Sequence, residues 1–388
     1  MNLEKAKAIQ PKMVAWRRDF HMHPELGFTE TRTAAKVAEV LQSLGCRVRT
    51  GVGKTGVIGE LGQGKPIIGI RADMDALPIQ EENDEPYTST VDGVMHACGH
   101  DAHTAILLGA ATLLSQEEFP GTVRFFFQPS EEVEDEEGVS GAPRMIEDGA
   151  MQDVDAVIAL HVGASIDTGD IELGAGNSAA GVDTFYGTII GRGGHGSTPH
   201  KVIDPIFITG YVILALNSII SRRLHPFDQA VISIGSIHGG TIDNVIPERV
   251  EMSGTIRFLS KKVQKKLHEE IERAFEVAKA MGADYELRIV EGYPPMQNEP
   301  GIVKLLEETA ADLIGKEHIQ EPEPEMGAED FGFFMEDAPG AMFFLGCKMG
   351  DFERRHHDPQ FDVNEECFPI GAAMFAEAAM RYLKQHAK

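Results

Sequence analysis

The sequence has few basic residues for its length of 388 residues. Lysine and arginine together number 35 against 61 aspartates and glutamates, which gives a formal net charge of -26. Because a field of this sign repels polyanions, the composition argues against binding to nucleic acid or to anionic membrane surfaces. The charge balance carries no information about the fold.

Cysteines are also scarce. The chain has four, at Cys46, Cys98, Cys347 and Cys367, and none of them forms a CxxC pair. Four cysteines are too few to cross-link a chain of this size, which indicates a reducing compartment, the cytoplasm. Any cysteine with a special role is therefore expected to serve chemistry.

Long uncharged segments are nearly missing. Residues 1–12 carry charges throughout and lack the apolar core of a signal peptide, so we expect no leader. The longest stretch without charge, 205–221, barely reaches the length of a membrane span and contains the polar residues Thr209 and Asn217. We expect a buried helix there.

Two common enzyme motifs are absent from the sequence. It contains no GxSxG nucleophile elbow and no GxxxxGK[ST] phosphate loop. The glycine-rich segment 191–196 follows a predicted strand but does not open a nucleotide-binding unit. We therefore expect neither a serine nucleophile of that type nor a nucleotide site.

Strand and helix patterns alternate in the first part of the chain. Apolar residues at helical spacing occur in 33–44 and 104–114, and short apolar runs typical of buried strands occur in 67–72, 122–127 and 156–160. This alternation predicts an α/β domain with a mixed, largely parallel sheet flanked by helices. The length favours two domains.

The rhythm changes between residues 182 and 290. The order there is strand, helix, strand, strand, helix, strand, which is the split βαβ arrangement of ferredoxin type. We predict that 182–293 forms a smaller α+β domain, inserted into a larger domain made of 1–181 and 294–388.

Polar side chains follow three of the predicted strands. Asp73 and Asp75 come after the first, Glu131 and Glu132 after the second, and His161 after the third. Ligands of open α/β sheets gather beyond the carboxyl ends of the strands, so these side chains are expected to converge.

Two further segments add thiol and imidazole groups. Cys98 and His100 flank one glycine before a predicted helix, and His356 and His357 follow the apolar run 341–345. Thiolate, imidazole and carboxylate together suit zinc, manganese, cobalt or nickel rather than calcium or magnesium. Singly, each residue is more typical of a core or surface position, but their common placement favours a metal site.

The adjacent pair Glu131-Glu132 is suggestive of a hydrolase. One carboxylate can bind metal while its neighbour takes a proton from an activated water and passes it to the leaving group. Adjacent acids are otherwise most often solvated surface residues.

Taken together, these residues resemble the M20 metallopeptidase family, in its branch of N-acyl-amino-acid, hippurate and indole-acetyl-amino-acid amidohydrolases. The matching segments run in family order over nearly the whole chain. They are RRDFHMHPE from Arg17, RADMDALP from Arg71, HACGHD from His96, QPSEE from Gln128, GRGGHGSTPH from Gly191, GGTIDNVIP from Gly239, GTIR from Gly254, MGAEDF from Met326 and HDP from His357.

The resemblance implies two divalent metal ions per subunit, manganese, zinc, cobalt or nickel, held by Cys98, His100, Glu132, His161 and His357. His356 competes with His357 for this role, but the His-x-Pro spacing of the family selects His357. The resemblance also assigns catalytic roles: Glu131 as the general acid and base, His195 as the group that stabilises the oxyanion, and Asp75 as an orienting carboxylate.

The resemblance further implies a substrate and an assembly. The substrate is a small N-acyl amino acid, bound by Asn244, Arg257 and Glu329, and the inserted domain serves as a lid and dimerisation domain in a homodimer or higher homo-oligomer. His195 is expected to come from the partner subunit. The alternatives are deacetylation of N-acetyl-diaminopimelate, a dipeptidase activity, or a metal-binding module without catalysis.

Overall fold

The computed structural model describes residues 3–323, 325–350 and 354–387, and the chain divides into two units. The first unit contains the residues up to Ser178, Gln297–Glu323 and the residues from Asp330 onward. The second contains Ala179–Met296 and a short segment that ends at Glu329. The boundaries lie a few residues from those predicted, and the short segment has no counterpart among the predictions.

The described residues form α-helices joined to strands of two main sheets. The helices are α1 Leu3–Met22, α2 Thr31–Ser43, α3 His100–Leu114, α4 Gly141–Glu147, α5 Pro205–Arg222, α6 Lys261–Ala280, α7 Pro300–Leu313, α8 Gly332–Asp337 and α9 Phe368–His386. The strands are β1 Arg47–Val52, β2 Gly56–Gln63, β3 Ile67–Asp73, β4 Gly121–Gln128, β5 Ala156–Gly163, β6 Ile171–Glu172, β7 Gly176–Ala179, β8 Gly181–Ile190, β9 Gly194–His195, β10 Ala230–Gly239, β11 Val245–Ile246, β12 Arg249–Phe258, β13 Asp284–Glu291, β14 Met296–Asn298, β15 Ile319–Gln320 and β16 Gly340–Gly346.

The first unit is built on a mixed sheet of order β1-β2-β4-β3-β5-β16-β6-β15. Its centre is parallel, because β3 pairs in parallel with β4 and β5, and β5 pairs in parallel with β16. The strands β1 and β2 add antiparallel pairs at one side. The prediction of a mixed α/β sheet is confirmed, and four central strands end at the same edge.

Helix α3 lies in the middle of the first unit's core. Every one of its residues is buried, which its alanine-rich and leucine-rich sequence allows. At Gly109 the neighbouring helices approach closely, since an added Cβ would lie 2.2 Å from the sulfur of Met13 on α1 and 3.2 Å from the Cβ of Ala372 on α9. This packing fixes the first turn of α3 against the end of the sheet.

The second unit has the predicted split βαβ arrangement. Its antiparallel sheet has the order β10-β12-β8-β13, and α5 and α6 pack against it around Phe185, Phe258 and Phe275. Helix α5 is long and apolar enough to cross a membrane by length and composition. One face of α5, through Val212 and Leu216, is buried in this core, as expected for the helix of a folded domain.

Helix α1 has no counterpart among the predicted elements. Its buried face includes Arg17 and His21 next to Trp16 and Phe20, so the apolar period is interrupted by charge. The guanidinium of Arg17 is completely buried. Its Nε lies 2.8 Å from the carboxylate of Asp101, and its Nη2 lies 2.7 Å from the carboxylate of Asp362. A buried network of ions therefore joins α1 to the first turn of α3.

We expect Arg17→Met to lower the free energy of unfolding by about 3–5 kcal/mol, because Asp362 would stay buried without its counter-charge and Asp101 would keep only His21. The matched control is Arg249→Met, whose exposed ion pair with Glu286 is worth about 0–1 kcal/mol. Urea unfolding of both variants measures the difference. Similar losses in the two variants would contradict a stabilising role for the buried network.

Candidate metal centre

The candidate ligands lie where the central strands of the first unit end. Cys98 precedes α3 and His100 is its first residue, and the turn between them requires glycine. Gly99 has a φ of +95°, and a Cβ there would lie 2.3 Å from a side-chain carbon of Val162. This left-handed residue lets the thiol and the imidazole on either side of it face one centre.

Cys98 belongs to two groups of possible ligands. Its sulfur, His100 and Glu132 offer donor atoms within 4.8 Å of one another, and so do Cys98, His161 and His356. The sulfur lies 3.5 Å from Nε2 of His161 and 3.9 Å from Nδ1 of His356. The two clusters, which share Cys98, would offer ligands for two metal ions.

The burial and hydrogen bonding of the donor atoms in the first group, Cys98, His100 and Glu132, suit a metal ion. Nε2 of His100 and Oε1 of Glu132 are both buried, and the former has no hydrogen-bond partner within the described part of the chain. Buried polar atoms without a partner are rare and call for a ligand or water. The two atoms lie 3.9 Å apart, so donors about 2.0–2.2 Å from zinc can both reach one ion.

The electrostatics of the group also fit a cation. Burial and the charge of Glu132 raise the pKa of the Cys98 thiol well above its usual range. Burial alone lowers the pKa of His100, but the neighbouring carboxylates, Asp73 first, outweigh it and raise that pKa to about 10. A divalent ion reverses both preferences, because it favours thiolate and neutral imidazole.

Both adjacent histidines reach the cluster. His357 has a left-handed φ of +65°, and its Nε2 lies 3.0 Å from Oε1 of Glu132. His356 points its ring toward His161, with the centroids 5.0 Å apart. The sequence spacing selects His357 alone, whereas the structure places His356 beside the sulfur and His357 beside the carboxylate.

Asp75 and Asp73 hold the ligands from behind. Asp75 contacts Nδ1 of His100 at 3.1 Å through one oxygen and accepts the Glu132 backbone N–H at 3.0 Å through the other. Asp73 contacts Nδ1 of His103 at 2.6 Å, while Nε2 of His103 accepts the backbone N–H of Val162. Both nitrogens of His103 are thus engaged, and it acts as a brace between α3 and β5.

The predicted general base, Glu131, is buried next to this cluster. Its Oε1 accepts the backbone N–H of Asp330 at 3.4 Å. The carboxylate of Asp330 is itself fixed by Arg71 at 3.0 Å and by Gln128 at 2.8 Å. Glu131 is therefore a buried carboxylate that accepts a backbone N–H, which is a suitable setting for a carboxylate that carries a proton.

The predicted substrate residues of the second unit do not form one group. His195 on β9 pairs with Val245 on β11, so it lies beside Asn244, whose carbonyl accepts the N–H of Gly196. Nδ1 of His195 accepts the backbone N–H of Ser197 at 3.0 Å and lies 2.9 Å from the Ser197 hydroxyl oxygen.

Arg257 lies near the other end of β12, opposite Val182. Between Arg249 and Arg257 the strand rises about 26 Å at roughly 3.3 Å per residue. Glu329, the remaining predicted residue, belongs to the short segment that groups with the second unit.

Comparisons with known proteins show the family to which this chain belongs. The sequence profile of peptidase family M20/M25/M40 matches residues 69–381. The chain is 39% identical over 385 residues to N-acetylcysteine deacetylase of Bacillus subtilis, covering 97% of this chain and 98% of the relative. It is 37% identical over 396 residues to IAA-amino acid hydrolase ILR1-like 2 of Arabidopsis thaliana, covering 100% and 89%.

A solved structure agrees. The YXEP protein of Bacillus subtilis, described as a dinuclear metal binding peptidase from the M20 family, superposes with a TM-score of 0.86 and 36% identity, covering 97% of this chain and 99% of that one. The resemblance drawn from the motifs is confirmed. The chain belongs to peptidase family M20/M25/M40 and is a metal-dependent hydrolase that acts on amide bonds.

Proposed function

We propose that this chain hydrolyses the amide bond of N-acyl-L-amino acids. The observation that carries the proposal is the meeting of Cys98, His100 and Glu132 beside the buried carboxylate of Glu131, with Nε2 of His100 buried and without a hydrogen-bond partner among the described residues. Both named relatives act, by their names, on an amino acid whose nitrogen is acylated. A metal-binding module without catalysis would have no need of Glu131.

Two divalent ions would be held by Cys98, His100, Glu132, His161 and His357, and the donor set suits manganese, zinc, cobalt or nickel. When bound, such ions supply Lewis acidity that polarises a carbonyl and activates water. The name of the YXEP protein supports a count of two.

Glu131 is the proton carrier of the proposed reaction. Its carboxylate accepts a proton from the attacking water and returns it to the nitrogen of the leaving amine. The fixed N–H of Asp330 at one oxygen keeps the carboxylate oriented for both steps. Asp75 holds the ring of His100 and the backbone of Glu132, so the donors keep their positions during turnover.

Arg257 is the proposed receptor for the carboxylate of the substrate. Its side chain is half-buried, burial lowers the pKa of its guanidinium, and that guanidinium has no ion pair or hydrogen bond with a described residue. A net charge of -26 repels an anionic substrate, so a local cation is needed for binding.

We further propose a homodimer in which His195 acts on the partner's site. The outer face of α5 exposes apolar side chains, with Phe207 at 58% and Leu214 at 68%, and β10 is a sheet edge beside it. Exposed apolar patches mark interfaces. His195 and Arg257 lie near opposite ends of the strands of the second unit, which supports their acting at two different sites.

The function is tested with the purified protein, metal analysis and a panel of N-acyl amino acids, N-acetyl-diaminopimelate and dipeptides. A dipeptidase requires a free substrate amine, whereas the proposed enzyme requires that amine acylated.

We expect Glu131→Gln to keep its metal and lose kcat by about 10²-fold or more, the scale of a lost general base. Glu132→Gln should instead lower metal occupancy, and the exposed Glu136→Gln is the matched control. If Glu131→Gln and Glu132→Gln lost metal equally while Glu131→Gln kept its rate, these role assignments would be wrong.

We expect Arg257→Ala to raise KM for N-acyl amino acids by about 10–100-fold, because a charge-assisted hydrogen bond contributes about 1.5–3 kcal/mol. Arg249→Ala, on the same strand and paired with Glu286, should leave KM unchanged. Substrates whose carboxylate is amidated should be poor for the parent enzyme. Equal rates on acid and amide forms would show that Arg257 does not bind the carboxylate.

For His195, the test is complementation between subunits. His195→Ala and Glu131→Gln proteins should each be nearly inactive. A heterodimer of the two contains one site with both native groups if His195 acts on the partner, so activity should return to at most half of the parent value. Verified heterodimers that stay as inactive as both parents would place His195 at its own subunit's site.

A further inference from the structure

Glu30 is a buried carboxylate with no part in the proposed chemistry. It precedes α2, its side chain is fully buried, and burial, with a contribution from Asp75, raises its pKa to about 7. One oxygen accepts the backbone N–H of Ser130 at 2.8 Å, and the other accepts the hydroxyl of Thr55 at 2.5 Å. A buried carboxylate is costly unless its bonds serve the structure around it.

The residue that Glu30 binds has an unusual backbone. Ser130 has a φ of +46°, in the left-handed region that residues other than glycine rarely adopt because it strains their backbone. It stands directly before Glu131 and Glu132, so its conformation sets the direction in which both side chains leave the strand. Strain of this kind persists only where the surroundings hold it.

The surroundings of Ser130 hold it on three sides. Its carbonyl accepts the N–H of Gly141 at 2.8 Å, and its hydroxyl donates to the carbonyl of Val133 at 2.8 Å. A Cβ on Gly27 would lie 2.3 Å from the Ser130 hydroxyl oxygen, and one on Gly141 would lie 1.6 Å from the carbonyl oxygen of Pro129. The bond from Glu30 to the Ser130 N–H completes this enclosure.

We propose that Glu30 is a positioning residue, which holds Ser130 in the left-handed conformation and so aims Glu131 at the substrate and Glu132 at the metal. The proposal rests on the proposed function for the roles of those two glutamates. Glu30 acts through the reach of its oxygen to the Ser130 N–H. Its charge is not required, because an amide oxygen accepts the same bond.

Three substitutions separate reach from charge. In Glu30→Gln the amide oxygen keeps the bond to Ser130, and kcat should stay within about threefold of the parent. Glu30→Asp keeps the charge but withdraws the oxygen, and Glu30→Ala removes it. Both should lower kcat by about 10–100-fold with a smaller change in KM, because a misplaced group costs this much. Thr55→Val, which removes only the other partner, is the control and should resemble the parent.

Ser130→Gly supplies a second, independent measurement. Glycine adopts a positive φ without strain, so in that background the removal of Glu30 should lower kcat by no more than about threefold. Hydrogen exchange of the segment 127–134, measured without substrate, should speed up in Glu30→Asp and Glu30→Ala and stay slow in Glu30→Gln. If Glu30→Ala does not fold, Glu30→Asp against Glu30→Gln carries the same comparison.

The proposal is overturned if Glu30→Asp is more active than Glu30→Gln, which would assign the role to charge, or if exchange of 127–134 is unchanged in Glu30→Asp. Glu131→Gln is assayed in parallel. If that variant keeps its activity, the proposed role of Glu131 fails, whereas an inactive Glu131→Gln with a fully active Glu30→Asp refutes the positioning role alone.

Discussion

Four parallel strands that end at one edge are the constraint on which the site depends. Strands β3, β4, β5 and β16 run in the same direction, and the segments that follow or end them bring carboxylates and imidazoles to the amino end of α3. The left-handed Gly99 then lets a thiol and an imidazole, one residue either side, join the same cluster. Without the parallel pairing, these side chains would lie at opposite edges of the sheet.

Several carboxylates are buried close to the candidate metal ligands, and their negative charges require neutralisation by a cation. Arg71 is fully buried and contacts Asp73 at 2.6 Å and Asp330 at 3.0 Å, so one guanidinium joins the carboxylate behind the ligands to the segment that orients Glu131. The buried Nε2 of His100 and Oε1 of Glu132 lie outside this compensation. The protein framework thus neutralises the supporting carboxylates and leaves the inner donors for a cation, which makes metal binding stabilise the fold as well as the chemistry.

The order of strands and helices could be predicted because apolar period and turn residues are local signals. The placement of His161 beside the glutamates followed from the strand ends, and Cys98 was added because it precedes a predicted helix. The position of His356 beside the sulfur could not be predicted, because no local pattern records the directions in which two adjacent histidines point. Nor could the bond between Glu30 and Ser130, whose partners are separated by 100 residues. The burial of Glu30 could not be predicted, because a charged residue is normally expected at the surface.

The predicted functional residues of the second unit lie at opposite ends of its sheet. Arg257 lies opposite Val182, next to the residues that connect the unit to the rest of the chain, whereas His195 and Asn244 lie at the far end of the same strands. On a rigid sheet, two groups about 26 Å apart cannot both contact one small molecule at the same time. The outer face of α5 exposes Phe207 and Leu214 although the core of this unit is already complete, and such apolar surface is typical of an interface.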